Sequence, residues 1–459
     1  MDQIHFHHAL KVDLQKCFGC THCLQVCPTE AIRIYKGKAN IREGRCVDCG
    51  ECMRSCPVNA FYIEQDDLNL IHNYRHRVVL FPSVMIGQFP IKITQEQIYN
   101  ALLKIGFTHV YEVEQPIEIL MEAREEYFAD PSHSRPFIST YCPAVVRLIQ
   151  VRYPSLVDHL VHIKVPQDLS AIYIKEKLLL QGAKEEEIGI FYITPCAAKI
   201  AAVKSPVGEK QSIVNGVINM KEAYNRIMTL IKQEGCKEEL PGFFGRITRE
   251  GMLWPLTNGE ASLFKGRAFA IDGIQNVIQF LELIENEEAP DIDFLEMRSC
   301  DESCAGGILL SGNRFLTVQN LIKRATKFPS ARTTKELNLI VDIEKIKQLL
   351  QTDKIKPRSM LILDTDRARA YEKMQKARTI MCHLPAIDCG SCGAPSCMAL
   401  AEDMVQHKAK MSDCIFMQQL WQHEGKIHPE KAFHNVEKKW GQNRFKPNCN
   451  KKGAKNEGL

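Results

Sequence analysis

The chain has 459 residues, 45% of them hydrophobic and 25% charged, and 19 are cysteine. That length supports more than one domain with a sizeable core, and a formal charge of +4 spread over it is too small to argue for nucleic acid. No apolar run approaches a bilayer span and the opening MDQIHFHHAL lacks the apolar stretch of a signal peptide. A cytoplasmic location is therefore expected, where reduced thiols are metal ligands more often than disulfide partners.

In residues 1–70, Cys17, Cys20, Cys23 and Cys27-Pro28 form C-x2-C-x2-C-x3-C-P, and Cys46, Cys49, Cys52 and Cys56-Pro57 repeat it. This is the bacterial two-cluster ferredoxin pattern, in which three close thiolates clasp one cubane and the fourth crosses to the other. Cys56 is expected to complete the Cys17/Cys20/Cys23 site, and Cys27 the Cys46/Cys49/Cys52 site. Paired C-x2-C also suits tetrahedral zinc, but two full runs closed by proline favour cubanes, a wire for single electrons.

From 76 to 334 the chain alternates apolar β-like runs with helical ones, as in HRVVLFPS, EEIGIFYITPC and NVIQFLELIEN, which predicts an α/β domain. Its three candidate loops carry Cys142, ahead of a helix opening at Pro143; Cys196, ending a strand in ITPCAAK; and Cys300 with Cys304 in FLEMRSCDESCAGG. Loops at the carboxyl ends of strands are where α/β folds build sites, so these thiols can converge.

Residues 335–381 are expected to be linking helices. In 382–415, Cys389, Cys392 and Cys397 lie in CGSCGAPSC, and Cys414 follows after a stretch that reads as a helix. This segment resembles the small four-cysteine iron-sulfur domain of corrinoid and electron-transfer proteins, with zinc again the alternative. Cys236, Cys382 and Cys449 fall outside these spacings and are expected to be structural or incidental. The tail, 416–459, carries nine Lys/Arg against four Asp/Glu. It is expected to be a solvated end, the alternative being a docking segment for an acidic partner.

The three central loops resemble those of the iron-only ([FeFe]) hydrogenase family, which read T-S-C-C-P-x-W, P-C-x-x-K-x-x-E and E-x-M-A-C-x-x-G-C-x-x-G-G. Here they read T-Y-C-P (Thr140 to Pro143), P-C-A-A-K (Pro195 to Lys199) and C-D-E-S-C (Cys300 to Cys304). With the ferredoxin-like head and the small iron-sulfur domain, the similarity runs up to Cys414 and is nearest to the sensory branch of that family. It implies an α/β hydrogenase-type domain between a bacterial-ferredoxin (α+β) head and a small helical iron-sulfur domain. It also implies four [4Fe-4S] clusters, one of them the cubane of an H-cluster held by Cys142, Cys196, Cys300 and Cys304. Cys304 would bridge to a two-iron subsite carrying CO and cyanide. Lys199 would hydrogen-bond one cyanide and Ser83 contact the other, Gln167 would line the pocket, and Pro82, Thr194 and Arg298 would stand beside the cofactor.

The departures bear on rate. Productive relatives have a proton-carrying cysteine where this chain has Tyr141, whose reference pKa is near ~10 against ~8.5 for a thiol. Ala202 stands where the second loop carries a glutamate, so the usual relay is broken. Glu122 and Glu125 match an outer pair of relay acids. Thr194 and Arg298 replace methionines, and Glu302-Ser303 replaces a glycine pair. The expected function is a slow, ferredoxin-linked [FeFe]-hydrogenase acting on hydrogen and protons, used as a hydrogen or redox sensor, with ferredoxin or a signalling protein as redox partner. The alternative is a non-catalytic electron-transfer or cluster-carrying protein without the two-iron subsite.

Overall fold

A computed structural model describes residues 6–234, 247–330 and 341–445, so Cys236 and Cys449 lie outside the described residues. The chain divides into two compact units. One comprises Leu10–Cys46, Gly50–Ile63 and the segment from Ser359 onward; the other comprises Glu64–Arg358, Val47–Cys49 and the residues before Leu10.

In the first unit, strand β1 (Leu10–Val12) will pair with β4, while β2 (Ile32–Tyr35) and β3 (Lys38–Ile41) form a hairpin; β4 (Phe61–Ile63) then closes antiparallel on β1. The sequence repeat is a structural repeat. The short helices His22–Gln25 and Glu51–Arg54 carry Cys23 and Cys52, and each starts from a left-handed residue, Thr21 and Gly50. The Ala31 and Ala60 amides donate to the Cys27 and Cys56 sulfurs at 3.1 and 3.2 Å.

The end of the chain folds onto this head. The Arg367–Cys382 helix packs along Cys397–Val405, and the helices Ile415–His423 and Pro429–Trp440 follow. Trp440 packs on the core formed by Leu24, Ile32, Ile34 and Phe61, and its Nε1 donates to the Ser391 carbonyl at 3.0 Å. The Ile34 amide donates to the Gly393 carbonyl and the Gly37 amide to that of Lys439, both at 2.8 Å. Arg33 Nε reaches Asp403 at 2.7 Å, Arg45 pairs with Glu402, and Arg444 Nη1 caps the Phe18 carbonyl at 2.6 Å. The expectation of a solvated end is thus corrected for residues 416–445: Trp440 and Arg444 give that segment an apolar anchor and unpaired carbonyls to satisfy.

The second unit carries β5 (His76–Phe81), β6 (His109–Glu112), β7 (Phe137–Ile138), β8 (Ile188–Thr194), β9 (Gly216–Asn219), β10 (Ala268–Asp272) and β11 (Phe294–Arg298). They make two parallel sheets, in the orders β6-β5-β8-β9 and β10-β11-β7. Strand β8, IGIFYIT, is buried along its whole length, as a parallel strand covered on both faces must be. The chain leaves β5 into Pro82-Ser83, β7 into Thr140–Cys142, β8 into Pro195-Cys196 and β11 into Ser299–Cys304, so each candidate loop sits at a carboxyl end. The Ile343–Leu349 helix is not a linker. Ile346 and Leu350 are fully buried in the core with Ile117, Leu120 and Trp254. No described helix is long and apolar enough to cross a membrane.

Gly37 has φ +70°, and a Cβ there would lie 2.5 Å from the Trp440 carbonyl oxygen. Gly37→Ala should destabilise the first unit by about 1–3 kcal/mol through strain and the displaced contact. Urea denaturation of this variant should show the loss, with earlier proteolytic cleavage in 415–445.

Candidate metal and redox centre

The structure brings three groups of thiols together. Cys23 has Cys20, Cys17 and Cys56 as charged neighbours, and its thiol is pushed up to about 12, chiefly by burial. Cys392 and Cys414 both feel Cys389, and Cys414 also feels Cys397. In the α/β unit, Cys142 Sγ lies 3.5 Å from Ser299 Oγ, which is 3.9 Å from Cys300 Sγ, and Cys196 has Cys304 and Cys142 as neighbours. Burial raises the Cys196 thiol to about 12 and also raises Cys304, while Lys199 opposes both shifts. Buried thiols of this kind ionise when a soft metal takes the proton's place. Four converging sulfurs with no carboxylate among them suit iron-sulfur or zinc. Cys142 and Cys196 are also the residues from which the Pro143–Arg152 and Ala197–Lys204 helices start, an end that favours negative charge.

Tyr141 sits beside these thiols with two cations against it: Lys199 Nζ and Arg298 Cζ are each 3.9 Å from its ring centroid. All three residues are at most 2% exposed. Burial pushes the Tyr141 phenol well above its usual range, and Cys304 adds to the rise. Lys199 Nζ reaches the Tyr192 hydroxyl at 3.5 Å, and among the described residues no carboxylate lies within ion-pair distance of it.

Arg298 is matched instead. Its Nη2 bonds Glu260 at 2.7 Å and its Nε lies 3.5 Å from Glu296; Glu260 also takes Arg124 Nη1 at 2.6 Å and the Ser139 hydroxyl at 2.8 Å. Burial alone would lower Arg298 and raise Glu260, but the opposite charges more than offset this, so the arginine is raised and the carboxyl lowered.

Ser83 is fully buried, with its amide donating to Glu114 at 3.0 Å and its hydroxyl to the Met252 carbonyl at 2.9 Å. Its hydroxyl proton is therefore already used. Pro82 precedes it in the same buried turn. Glu114 is raised by burial, and Glu112, bonded by Tyr99 and Gln95, is raised to about 7 by the same cause. Thr194 is buried and uses its hydroxyl locally, on the amide and carbonyl of Cys196. Gln167 and Ala202 face one cavity of about 90 Å³ together with Thr140, Pro143 and Asp168. Burial raises Asp168 to about 7. Glu122, half-buried, pairs with Lys347 at 3.5 Å, and Glu125, exposed, pairs with Lys265 at 2.8 Å and lines a cavity with Arg124, Trp254 and Glu260. Glu302 and Ser303 keep left-handed backbones, φ 62° and 51°, where the family has glycines. The Glu302 amide bonds Asp272 at 3.1 Å, and the Ser303 hydroxyl meets Thr257 at 2.9 Å.

Glu260, Glu296, Arg124, Glu114 and Asp168 do not figure among the sequence-based candidates. Glu260, Arg124 and Glu114 lie in no spacing pattern; Glu296 alone carried a signal, as a charge inside the apolar strand FLEMR.

Residues 78–270 match the family described as iron only hydrogenase large subunit, C-terminal domain; residues 9–68 match a 4Fe-4S dicluster domain, and 384–416 an Fe-S cluster domain. Iron hydrogenase 1 of Clostridium pasteurianum is 25% identical over 257 residues, which are 52% of this chain and 42% of that protein. The chain thus spans less than half the length of that relative. Among solved structures, a variant of the [FeFe]-hydrogenase HydA1 from Chlamydomonas reinhardtii is similar with 17% identity and a TM-score of 0.45, over 61% of this chain and 94% of that one. The structure of HydA(deltaEFG) is similar with 17% identity and a TM-score of 0.44, over 61% and 93%.

Glu260→Ala should cost about 3–5 kcal/mol, because it leaves Arg124 and Arg298 buried without their shared acid. Glu125→Ala, breaking only an exposed pair, should cost no more than about 1 kcal/mol. Denaturant titration of both variants separates the two outcomes.

Proposed function

We propose, for a chain whose residues 78–270 match the iron-only hydrogenase large-subunit family and are flanked by matches to two further iron-sulfur domains, that it is a slow hydrogen-reactive H-cluster protein. It would pass electrons through four [4Fe-4S] clusters and serve as a hydrogen or redox sensor. The observation that carries this reading is Lys199: a buried ammonium, with no carboxylate partner among the described residues, beside Cys196 and Cys304. Such a group is a donor waiting for a small anion, and a compact ammonium suits a cyanide.

On this reading Cys142, Cys196, Cys300 and Cys304 would hold a cubane, with a two-iron group beside them. When bound, that group supplies the centre at which hydrogen is split into protons and electrons. Lys199 holds one of its anionic ligands, and Arg298, whose charge opposes the rise of the Cys304 thiol, tunes the shared sulfur. Gln167, buried with an unpartnered amide oxygen, lines the pocket wall. Tyr141 keeps its proton on Oη, because burial makes the phenol a weaker acid still; a group that does not release its proton near neutral pH is a poor carrier. Ala202 offers none. Low turnover follows, and a sensor needs occupancy more than flux.

Anaerobically matured protein should show infrared bands of iron-bound CO and cyanide and hold iron for four cubanes. Lys199→Ala should weaken or abolish those bands while the cubane signals persist. Zinc in the thiol sites, or wild-type protein that never acquires the bands, would move the chain to the electron-transfer alternative.

Tyr141→Cys with Ala202→Glu should raise hydrogen evolution above the product of the single changes, since two groups in series work only together. Each missing relay step is worth roughly 10²–10⁴-fold. A double variant that carries the infrared bands and gains nothing in a hydrogen-evolution assay would overturn the broken-relay account.

A further inference from the structure

The α/β unit holds a second cavity, of about 330 Å³, that no cysteine lines. Its volume falls within the range of small-molecule pockets, about 300–1,000 Å³. Phe128, on the helix Ile117–Ala129, Phe264, just after the turn Ala261–Leu263, and Phe294, at the start of β11, form one wall. The three rings are in mutual contact. Phe264 and Phe294 stack with centroids 5.1 Å apart, and Phe128 meets them edge-on at 5.2 and 5.7 Å. A wall of packed rings suits a flat aromatic guest, which adds a further offset or edge contact.

Arg124 and Trp254, 4% and 1% exposed, line the same cavity, with the guanidinium 5.1 Å from the indole ring centroid. Arg124 gives only Nη1 to Glu260, at 2.6 Å. Its Nε and Nη2 are buried without a partner among the described residues, and so is Trp254 Nε1. Nε and Nη2 form one edge of a guanidinium, two parallel N–H groups that match the two oxygens of a carboxylate. All three unsatisfied groups are donors, so whatever completes them brings acceptors. The exposed end of the cavity carries two ion pairs, Lys265 with Glu125 at 2.8 Å and Arg135 with Asp293 at 3.2 Å. Exposed pairs of this kind are weak enough to part for a guest.

We propose that this cavity binds a small flat aromatic carboxylate, an acid of one or two rings. Its rings lie against Phe128, Phe264 and Phe294, and its carboxylate takes the Nε/Nη2 edge of Arg124. The acid that holds Arg124 also holds Arg298, so a guest on Arg124 stands one shared carboxyl, that of Glu260, from the residues around Tyr141. Binding requires neither iron nor hydrogen chemistry.

The test is isothermal titration calorimetry on the full chain with its clusters loaded, using naphthoate and, as a neutral probe with the same rings, naphthylmethanol. Naphthoate should bind one site per chain at least roughly tenfold more tightly than the alcohol, because only the carboxylate uses the guanidinium edge. Arg124→Lys keeps a charge for Glu260 but has no such edge, and should bring naphthoate down to the affinity of the alcohol. Leu263→Trp, which fills the cavity from a half-buried lining position, should abolish binding of both probes. No binding of naphthoate to the wild-type chain at millimolar concentration, equal affinity for the two probes, or wild-type affinity in either variant would overturn the proposal. The two probes compared on the wild-type chain decide the matter even where a variant fails to fold. Neither probe reads CO or cyanide bands, so a failed pocket and a failed hydrogenase reading are told apart.

Discussion

The α/β unit is organised by an aromatic ring that shares its surroundings with two desolvated cations. Removing an ammonium or a guanidinium from water costs several kcal/mol, and a ring face returns about 2 kcal/mol at best. Arg298 makes up its difference with Glu260 and Glu296, and that requirement fixes Arg124, Ser139 and the turn around Trp254 that place Glu260. Lys199 has no acid within ion-pair distance among the described residues; its charge acts instead on Glu114, Asp168 and the thiols of Cys196 and Cys304. The Tyr141 ring lies within 3.9 Å of both cations, which a phenol can do without supplying a charge of its own.

The iron-sulfur domains were legible in the sequence because cysteine spacing is local: three thiols of each C-x2-C-x2-C-x3-C run lie in one loop and only the fourth depends on the other run. The central thiols were legible for a different reason, since the parallel strands before them read as unbroken apolar runs and parallel strands present their carboxyl ends together. What could not be read is what arises only from packing. Glu260 and Arg124 lie far apart in the chain and meet across the core, and neither sits in a pattern. Glu122 and Glu125 matched relay acids by position, but their partners Lys347 and Lys265 are distant in sequence and could not be read from it. Ser83 is fully buried, and the Met252 carbonyl takes its hydroxyl.

The third loop shows how backbone can be retained while residues change. Left-handed conformations at Glu302 and Ser303 cost about 1 kcal/mol or more each relative to glycine. Asp272 and Thr257 hold the two residues there, so Cys300 and Cys304 keep a spacing in space that a relaxed loop would alter. Side chains thus enforce what the family's glycines permit.

The head's strands and helices are made from the beginning of the chain, but its Gly37 amide and its Phe18 carbonyl are satisfied by Lys439 and Arg444 near the other end. During synthesis the head must wait, with part of its core uncovered, while the whole α/β unit is translated and folds in between. Contacts closed over so long a stretch of chain form late and slowly. Until residues 429–445 have been made, the Gly37 amide and the Phe18 carbonyl stay open to water, and the face of the core that Trp440 covers stays bare.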